Sequence, residues 1–268
     1  MSQDDFVDAP GQALLHLERV TRTFGTGDRT NRALDGVNLT VTQGSSLGIV
    51  GESGAGKTTI LKLLMGLDSP TTGEVSFKGQ RLDRRDRAQM REFRSKVQIV
   101  FQDPRSSLNP RMTVGQIIGE PLRSLKIAGD HDARVTEVLE WVGLSADDRA
   151  KYPAQFSGGQ RQRIAIARAL APSPQVLVAD EPVSALDVSV RGQIMDLLAR
   201  LKAELGLTLI MVSHDMAIVG QLCEETLVLK EGRVAEAGST HQVFTNPQSD
   251  YTRQLLNAVP RLEDIRRA

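Results

Sequence analysis

Residues Gly51 to Thr59 read GESGAGKTT, and this stretch decides the fold. Gly51–Thr58 fits the spacing G-x-x-x-x-G-K-[ST], between a short apolar run, Ser46–Val50, and a second one from Thr58 to about Gly66. A strand, a glycine-rich loop and a helix in that order build a phosphate cradle. Gly51, Gly54 and Gly56 let the backbone curl until successive N–H groups, those of Glu52, Ser53, Ala55 and Thr59 among them, can face phosphate oxygens. Lys57 is expected to reach the β- and γ-phosphates as a compact charge, and the Thr58 hydroxyl to ligate Mg²⁺. With glycine at about 7% usage, the four fixed positions would match by chance roughly once in a hundred such chains.

The pattern around this loop is that of an α/β domain. Leu14–Val20 and Leu34–Val41 alternate apolar with polar residues, as half-exposed strands joined by a Gly-rich hairpin loop do. Ser46–Val50, Val97–Phe101, Val176–Ala179 and the run LTLIMVS before His214 read as further strands. Helical spacing marks about Val188 to Leu205. Strands alternating with helices at these lengths predict a mainly parallel sheet. Between Asp103 and Pro153 the spacing is helical throughout, which makes that stretch an insertion in the pattern. The first twelve residues are polar and expected to be loose.

A phosphate cradle needs an acidic partner for the metal. Asp180 ends the apolar strand VLVA, where a carboxylate can hold Mg²⁺ directly or through water. Glu181, its neighbour, can orient or deprotonate an attacking water. Read without the phosphate loop, the same pair is an ordinary solvated loop start. No [NT]-K-x-D run occurs, so nothing here resembles the guanine-reading loop of GTPases. Phe24, in VTRTFG, either stacks on a purine face or packs in the core.

The bulk composition bounds the rest. The 268 residues carry 33 basic and 33 acidic side chains, and that balance argues against DNA or RNA as the main partner. No apolar run approaches the ~18 residues of a membrane span. The opening MSQDDFVDAP is acidic where a secretory signal would be basic and then apolar. Cys223 alone cannot form an internal disulfide, and it fits a reducing compartment. A cytoplasmic globular chain is the expectation. In the run RLDRRDRAQMREFR, six arginines alternate with Asp83, Asp86 and Glu92, as on a solvated helix face.

A second cradle lies about a hundred residues after the first. In FSGGQRQR, Ser157 can cap a helix that begins near Gly158, so that backbone N–H groups and a positive helix end point outward. By itself it is an ordinary capped helix, QRQRIAIARALA, with Arg161, Arg163 and Arg168 set among apolar positions.

FSGGQ, then VLVADEP about 20 residues later, SALD, and a strand-terminal His214 together resemble the ATP-binding subunit of ABC transporters. Phe156 replaces the leucine of that family's LSGGQ motif. The resemblance covers about residues 14 to 260. It implies a P-loop NTPase (RecA-like) core at about 14–102 and 158–240, an antiparallel β subdomain, and a helical insertion at about 103–157. It also implies a C-terminal extension over 241–268. Two cassettes pair head to tail in that family, so Ser157, Gly158, Gly159 and Gln160 of one chain would close on the γ-phosphate held by the other's first cradle. Gln102 would be the loop glutamine that senses γ-phosphate and Mg²⁺, and Glu181 the catalytic carboxylate. His214 would contact the γ-phosphate, Phe24 would stack on adenine, and Ser184–Asp187 would link the two sites, with Asp187 near the nucleotide.

Two segments resemble the ATPases of oligopeptide, dipeptide and nickel importers: FQDPRSSLNPRMTVGQIIGEPL and the tail HQVFTNPQSDYTRQLLNAVP. The implied cofactors are ATP and Mg²⁺. The implied partners are a second, identical or related ATPase subunit, two transmembrane permeases and, indirectly, a solute-binding protein. The implied location is the cytoplasmic face of the membrane. Peptides are the first expectation for the cargo, then nickel or another metal, then another small solute. Some members carry a cysteine cluster near the C-terminus, and residues 240–268 hold no cysteine, so no metal cluster is expected there. The other classes weighed are a soluble ABC protein acting on ribosomes or DNA, and a P-loop kinase or nucleotide switch, which would leave FSGGQ, SALD and His214 without a role.

Overall fold

A computed structural model of the chain describes residues 13–25 and 30–258, except the side chain of Arg105. The first twelve residues, most of the glycine-rich loop after the first strand, and the last ten residues of the expected extension lie outside the described residues. In chain order the elements begin with β1 (Ala13–Phe24), β2 (Asn31–Thr42), β3 (Ser46–Val50), α1 (Lys57–Leu64), β4 (Thr72–Phe77) and β5 (Gln80–Arg81). Then come α2 (Arg87–Lys96), β6 (Val97–Val100), α3 (Pro104–Ser107), α4 (Val114–Ser124) and α5 (His131–Trp141). Two short 3-10 turns, Ala146–Ala150 and Pro153–Gln155, lead to α6 (Gly158–Leu170), β7 (Val176–Asp180), α7 (Val188–Leu205) and β8 (Thr208–Ser213). The chain finishes with α8 (Met216–Leu222), β9 (Glu225–Lys230), β10 (Arg233–Ser239), α9 (Thr240–Thr245) and α10 (Asp250–Asn257). Among the described residues two compact units result, one running up to Arg84 and resuming from Ile210, the other Arg85–Leu209.

In the first unit, β1 pairs antiparallel with β2 on one side and β4 on the other, in the order β2-β1-β4-β5. Leu15 faces Val41 and Phe77, and Leu17 faces Leu39 and Val75, so alternate residues of β1 enter one apolar layer. This is the expected antiparallel subdomain, with β1 running four residues beyond Val20. A bulge interrupts it after Leu17, where Arg19 takes φ 45° and its N–H donates to Asn38 Oδ1 at 2.7 Å. The second sheet of this unit runs β10-β9-β3-β8, with β3 parallel to β9 and β10 antiparallel at the edge. All five residues of β3, SLGIV, are buried, as suits a strand covered on both faces. Leu47 and Ile49, each at 0% exposure, stabilise the unit by about 1.5–3 kcal/mol apiece. The strand delivers the chain into the glycine-rich loop from a fixed point.

In the second unit, β6 and β7 pair in parallel, Val97 with Val176 through Val100 with Ala179. Helix α6 buries Ile164, Ala165, Ile166, Ala167, Ala169 and Leu170, four of them consecutive, so it is covered on nearly all sides. Its three arginines reach back to carbonyls of the helical stretch. Arg161 Nε donates to Pro153 O at 2.8 Å, Arg163 Nη1 to Val142 O at 2.6 Å, and Arg168 Nη1 to Ser107 O at 2.6 Å. Burial lowers the pKa of Arg168, and the Glu120 carboxylate opposes that shift. From α5, Arg134 donates to Ala171 O and Leu170 O at the far end of α6. From Arg87 on, the basic run becomes α2, capped by Asp86 and exposed along its arginines, but Met90 and Phe93 give it a buried seam. The parallel pairs, the antiparallel sheet and the helices of 104–155 make up the expected α/β fold.

Candidate functional site

The expected site residues fall into two sets, one in each unit. In the first unit, Gly51–Gly56 leads directly into α1. Two glycines there are obligatory. Gly51 (φ 155°) and Gly56 (φ 106°) both lie where L side chains are strained, and a Cβ would stand 2.3 Å from Leu229 O at Gly51 and 2.7 Å from Ala33 O at Gly56. Lys57 folds back into the loop, its Nζ donating to Gly51 O at 2.6 Å and Glu52 O at 2.8 Å. From outside, the Gly232 N–H donates to Ala55 O at 2.9 Å, and the Glu52 N–H donates to Tyr251 Oη at 3.1 Å. Ser53, Gly54 and Thr58 are exposed, and Thr59 is half-buried. The first turn of α1 contains no acidic residue, so nothing there opposes an anion at its positive end.

The same unit holds Phe24 and His214. Phe24 ends β1 at 40% exposure, with the Arg22 guanidinium 4.4 Å from its ring centroid, so it is not a core residue. His214 is exposed just past β8, and the next residue, Asp215, caps α8 by accepting the Ala217 N–H at 2.9 Å.

In the second unit, Gln102 follows β6 and Glu181 follows β7. Their parallel pairing brings these residues together across 79 positions of sequence, and Gln102 Nε2 donates to Glu181 Oε2 at 2.9 Å. Glu181 takes φ 44°, in the left-handed region that a non-glycine residue adopts at a cost of about 1–3 kcal/mol. Such strain is a common mark of functional positions. Asp180, half-buried, is the last residue of β7.

Ser157 caps α6 through a reciprocal pair: its Oγ accepts the Gln160 N–H at 3.3 Å, and Gln160 Oε1 accepts the Ser157 N–H at 3.0 Å. Ser157 and Gln160 are exposed, and Gly158 and Gly159 are half-buried. Asp187, exposed, stands at the cap of α7 without a side-chain capping bond. The segment Ser184–Asp187 is held instead by Arg191, whose Nε donates to Leu186 O at 2.8 Å.

Sequence reasoning missed Tyr251, Gly232 and Arg191. Arg191 lies one helical turn past Asp187, a spacing that could have flagged it. Tyr251 is 199 positions from the loop it touches, and no local pattern marks it.

Oxygen donors predominate in the set Thr58, Gln102 and Asp180, the hard chemistry that Mg²⁺ selects. Among the described residues no three His, Cys, Asp or Glu side chains gather as a metal site. Among the described residues no helix is long and apolar enough to cross a membrane.

A family model described as ABC transporter matches residues 34–184. The chain is 48% identical over 233 residues to a dipeptide transport ATP-binding protein, DppF, of Haemophilus influenzae, covering 86% of this chain and 71% of that one. It is 44% identical over 238 residues to an oligopeptide transport ATP-binding protein, OppF, of Lactococcus lactis, covering 88% and 75%. Among solved structures, a dimeric ATP-binding cassette in a post-hydrolysis state with ADP and Pi superposes with a TM-score of 0.75 at 35% identity, over 85% of this chain and 99% of that one. So does cbiO1 of Clostridium perfringens, part of the ABC transporter complex cbiONQ, with a TM-score of 0.78 at 30% identity, over 96% and 100%.

Proposed function

Because this chain belongs to the ABC transporter family and is an ATP hydrolase coupled to transport, we propose that it is the motor subunit of an importer of di- or oligopeptides. The observation that carries the cargo class is the likeness, across most of both chains, to transport ATP-binding proteins named for dipeptides and oligopeptides. In this reading the chain sits on the cytoplasmic face of a membrane, bound to two permeases, and works as half of a head-to-tail pair. The dimeric cassette among its structural neighbours supports that pairing.

The residues then divide the work. The loop Gly51–Thr59 and Lys57 bind the β- and γ-phosphates, with Lys57 already drawn inward by the carbonyls of Gly51 and Glu52. Phe24 stacks on adenine. Glu181 takes the proton from an attacking water, and the hydrogen bond from Gln102 keeps that carboxylate aimed. His214 contacts the γ-phosphate, and Asp187 helps link one nucleotide to the other. Ser157, Gly158, Gly159 and Gln160 close on the γ-phosphate of the neighbouring subunit through the positive end of α6. Thr58, Gln102 and Asp180 would hold Mg²⁺, which neutralises charge that develops on the phosphate oxygens. The γ-phosphate favours the closed pair by its differential affinity for it, and hydrolysis removes that contact.

Reconstitution tests the reading. The chain is assembled in vesicles with permeases encoded beside it and their solute-binding protein, and ATP turnover is followed with peptides or Ni²⁺ outside. Stimulation by di- or oligopeptides is expected. Stimulation by Ni²⁺ alone would reassign the cargo, and no stimulation by any solute would break the importer reading.

A further inference from the structure

The phosphate loop is not held by its own residues alone, and the residue that reaches it from farthest away lies outside the 34–184 segment that the family model matches. Helix α10 places Tyr251, at 7% exposure, beside the start of the loop, where its Oη accepts the Glu52 N–H at 3.1 Å. The carbonyl of the same Glu52 accepts Lys57 Nζ at 2.8 Å. One residue therefore has its N–H tied to the tail of the chain and its C=O tied to the phosphate-binding lysine. The tail is itself anchored. The Glu236 carboxylate accepts the N–H groups of Gln248 at 2.8 Å and Ser249 at 3.0 Å, which fixes the entry into α10 on β10. Lys230 Nζ lies 4.9 Å from the centroid of the Tyr251 ring, an attraction that holds the ring in place. Burial raises the hydroxyl's pKa, the bond from Glu52 N–H lowers it, and the Glu52 and Glu231 carboxylates add to the rise. The hydroxyl is thus uncharged at neutral pH, a neutral acceptor for the loop N–H.

A loop that must present several N–H groups to one anion gains from any contact that removes its alternative conformations before the anion arrives. The Glu52 peptide is well placed for such a contact. It precedes the turn at Gly54, and it sets one of the two carbonyls that Lys57 leans on. We propose that Tyr251 is a positioning residue for ATP binding: its hydroxyl fixes the Glu52 peptide, and through it Lys57 and the curl of the phosphate loop. The proposal rests on the ATPase reading above and adds to it a contribution from the C-terminal segment.

The test uses the full chain and Tyr251→Phe, which keeps the ring, the Lys230 contact and the packing, and removes only the acceptor. ATP affinity by calorimetry and steady-state ATPase kinetics are measured beside a thermal melt. The expected result is a rise in Kd and KM for ATP of about 2- to 10-fold, the range for one net hydrogen bond, with kcat at saturating ATP little changed. Glu236→Gln, which leaves Tyr251 in place but weakens its anchorage, is expected to move KM in the same direction by a smaller factor. Unchanged ATP affinity in Tyr251→Phe overturns the proposal whatever the melting temperature does, and so does a fall in kcat at constant KM. Absence of ATP binding by the unaltered chain would instead remove the ATPase reading and this inference with it.

Discussion

The two stretches proposed as anion cradles stand in front of two helices and are built by opposite means. The loop before α1 is shaped from far away. Carbonyls of Ala33 and Leu229 crowd its glycines, Gly232 donates to Ala55, and Tyr251 accepts from Glu52. The edge before α6 shapes itself, through a reciprocal pair of bonds between Ser157 and Gln160, three residues apart. The difference has a functional sense. A loop fixed by its surroundings suits a ligand held throughout a cycle. An exposed, self-capped edge keeps its form without help and can meet a ligand that arrives with another molecule. Binding should therefore depend on the first unit and turnover on the second, and each substitution below either sharpens that split or breaks it.

The largest effect is expected at Glu181, in the second unit. Glu181→Gln keeps an acceptor and a similar volume but removes the base, and turnover should fall about 10²–10⁴-fold. ATP affinity, which belongs to the loop in the other unit, should be preserved. Steady-state rates paired with equilibrium binding check both halves, and a variant as fast as the unaltered chain would remove Glu181 from the chemistry. Lys57→Ala is the mirror image. Loss of its charged hydrogen bonds to phosphate, about 1.5–3 kcal/mol, should weaken ATP binding about 10- to 150-fold. If ATP affinity survives that change, the loop before α1 is not the phosphate site.

The contrast between the cradles also explains what was legible in the sequence. Ser157 and Gln160 stand at i and i+3, so the cap of α6 can be read from four letters, and the helix does begin at Gly158. Helix α7, bounded by Asp187 and Gly206, matches the expected Val188–Leu205 because both of its stop signals are local. Strand β3 was legible because five consecutive buried residues leave a continuous apolar run. Two of the elements the sequence reading passed over have weaker signatures, whereas β9, ETLVLK, was missed despite four consecutive buried residues. Strand β4, TGEVSF, buries only Val75 and Phe77, and β10, RVAEAGS, has no fully buried position, so neither shows a clear period. Gln102 was expected only from family resemblance, and its contact with Glu181 was not expected at all, because the register of two parallel strands, and no spacing along the chain, sets it. Phe24 was open between core and surface, and the end of β1 places it at the surface under Arg22.

A smaller effect is expected when the self-made cap is cut. Ser157→Ala removes the acceptor for the Gln160 N–H and should cost about 1 kcal/mol of stability. For a chain of this size that is a fall in Tm of roughly 2–4 °C. ATP affinity of the unpaired chain should not change, whereas turnover of the assembled pair should drop. A drop in affinity with unchanged turnover would mean that the edge serves the nucleotide of its own chain, and the division of labour between the units would fail.

The smallest expected change in stability separates cap from cradle most cleanly. Gly158 and Gly159 are neighbours in the first turn of α6, but their surroundings differ. A Cβ on Gly158 would lie 3.6 Å from Leu186 Cδ2, an ordinary contact, whereas one on Gly159 would lie 2.5 Å from Val190 Cγ1 and force that side chain to move. Replacing a helical glycine by alanine stabilises by about 0.5–1 kcal/mol where the space is open. Gly158→Ala should therefore leave Tm unchanged or slightly raised, and Gly159→Ala should lower it. Activity supplies the second axis. In the proposed pairing a phosphate of the neighbouring subunit approaches the N–H groups of the first turn, and a methyl group at Gly158 adds bulk to that turn, so turnover of the pair should fall while Tm holds or rises. A more stable variant with reduced turnover cannot be explained by damage to α6. A more stable variant with full turnover would mean that no phosphate comes to this edge, and the second cradle would be only the start of a helix.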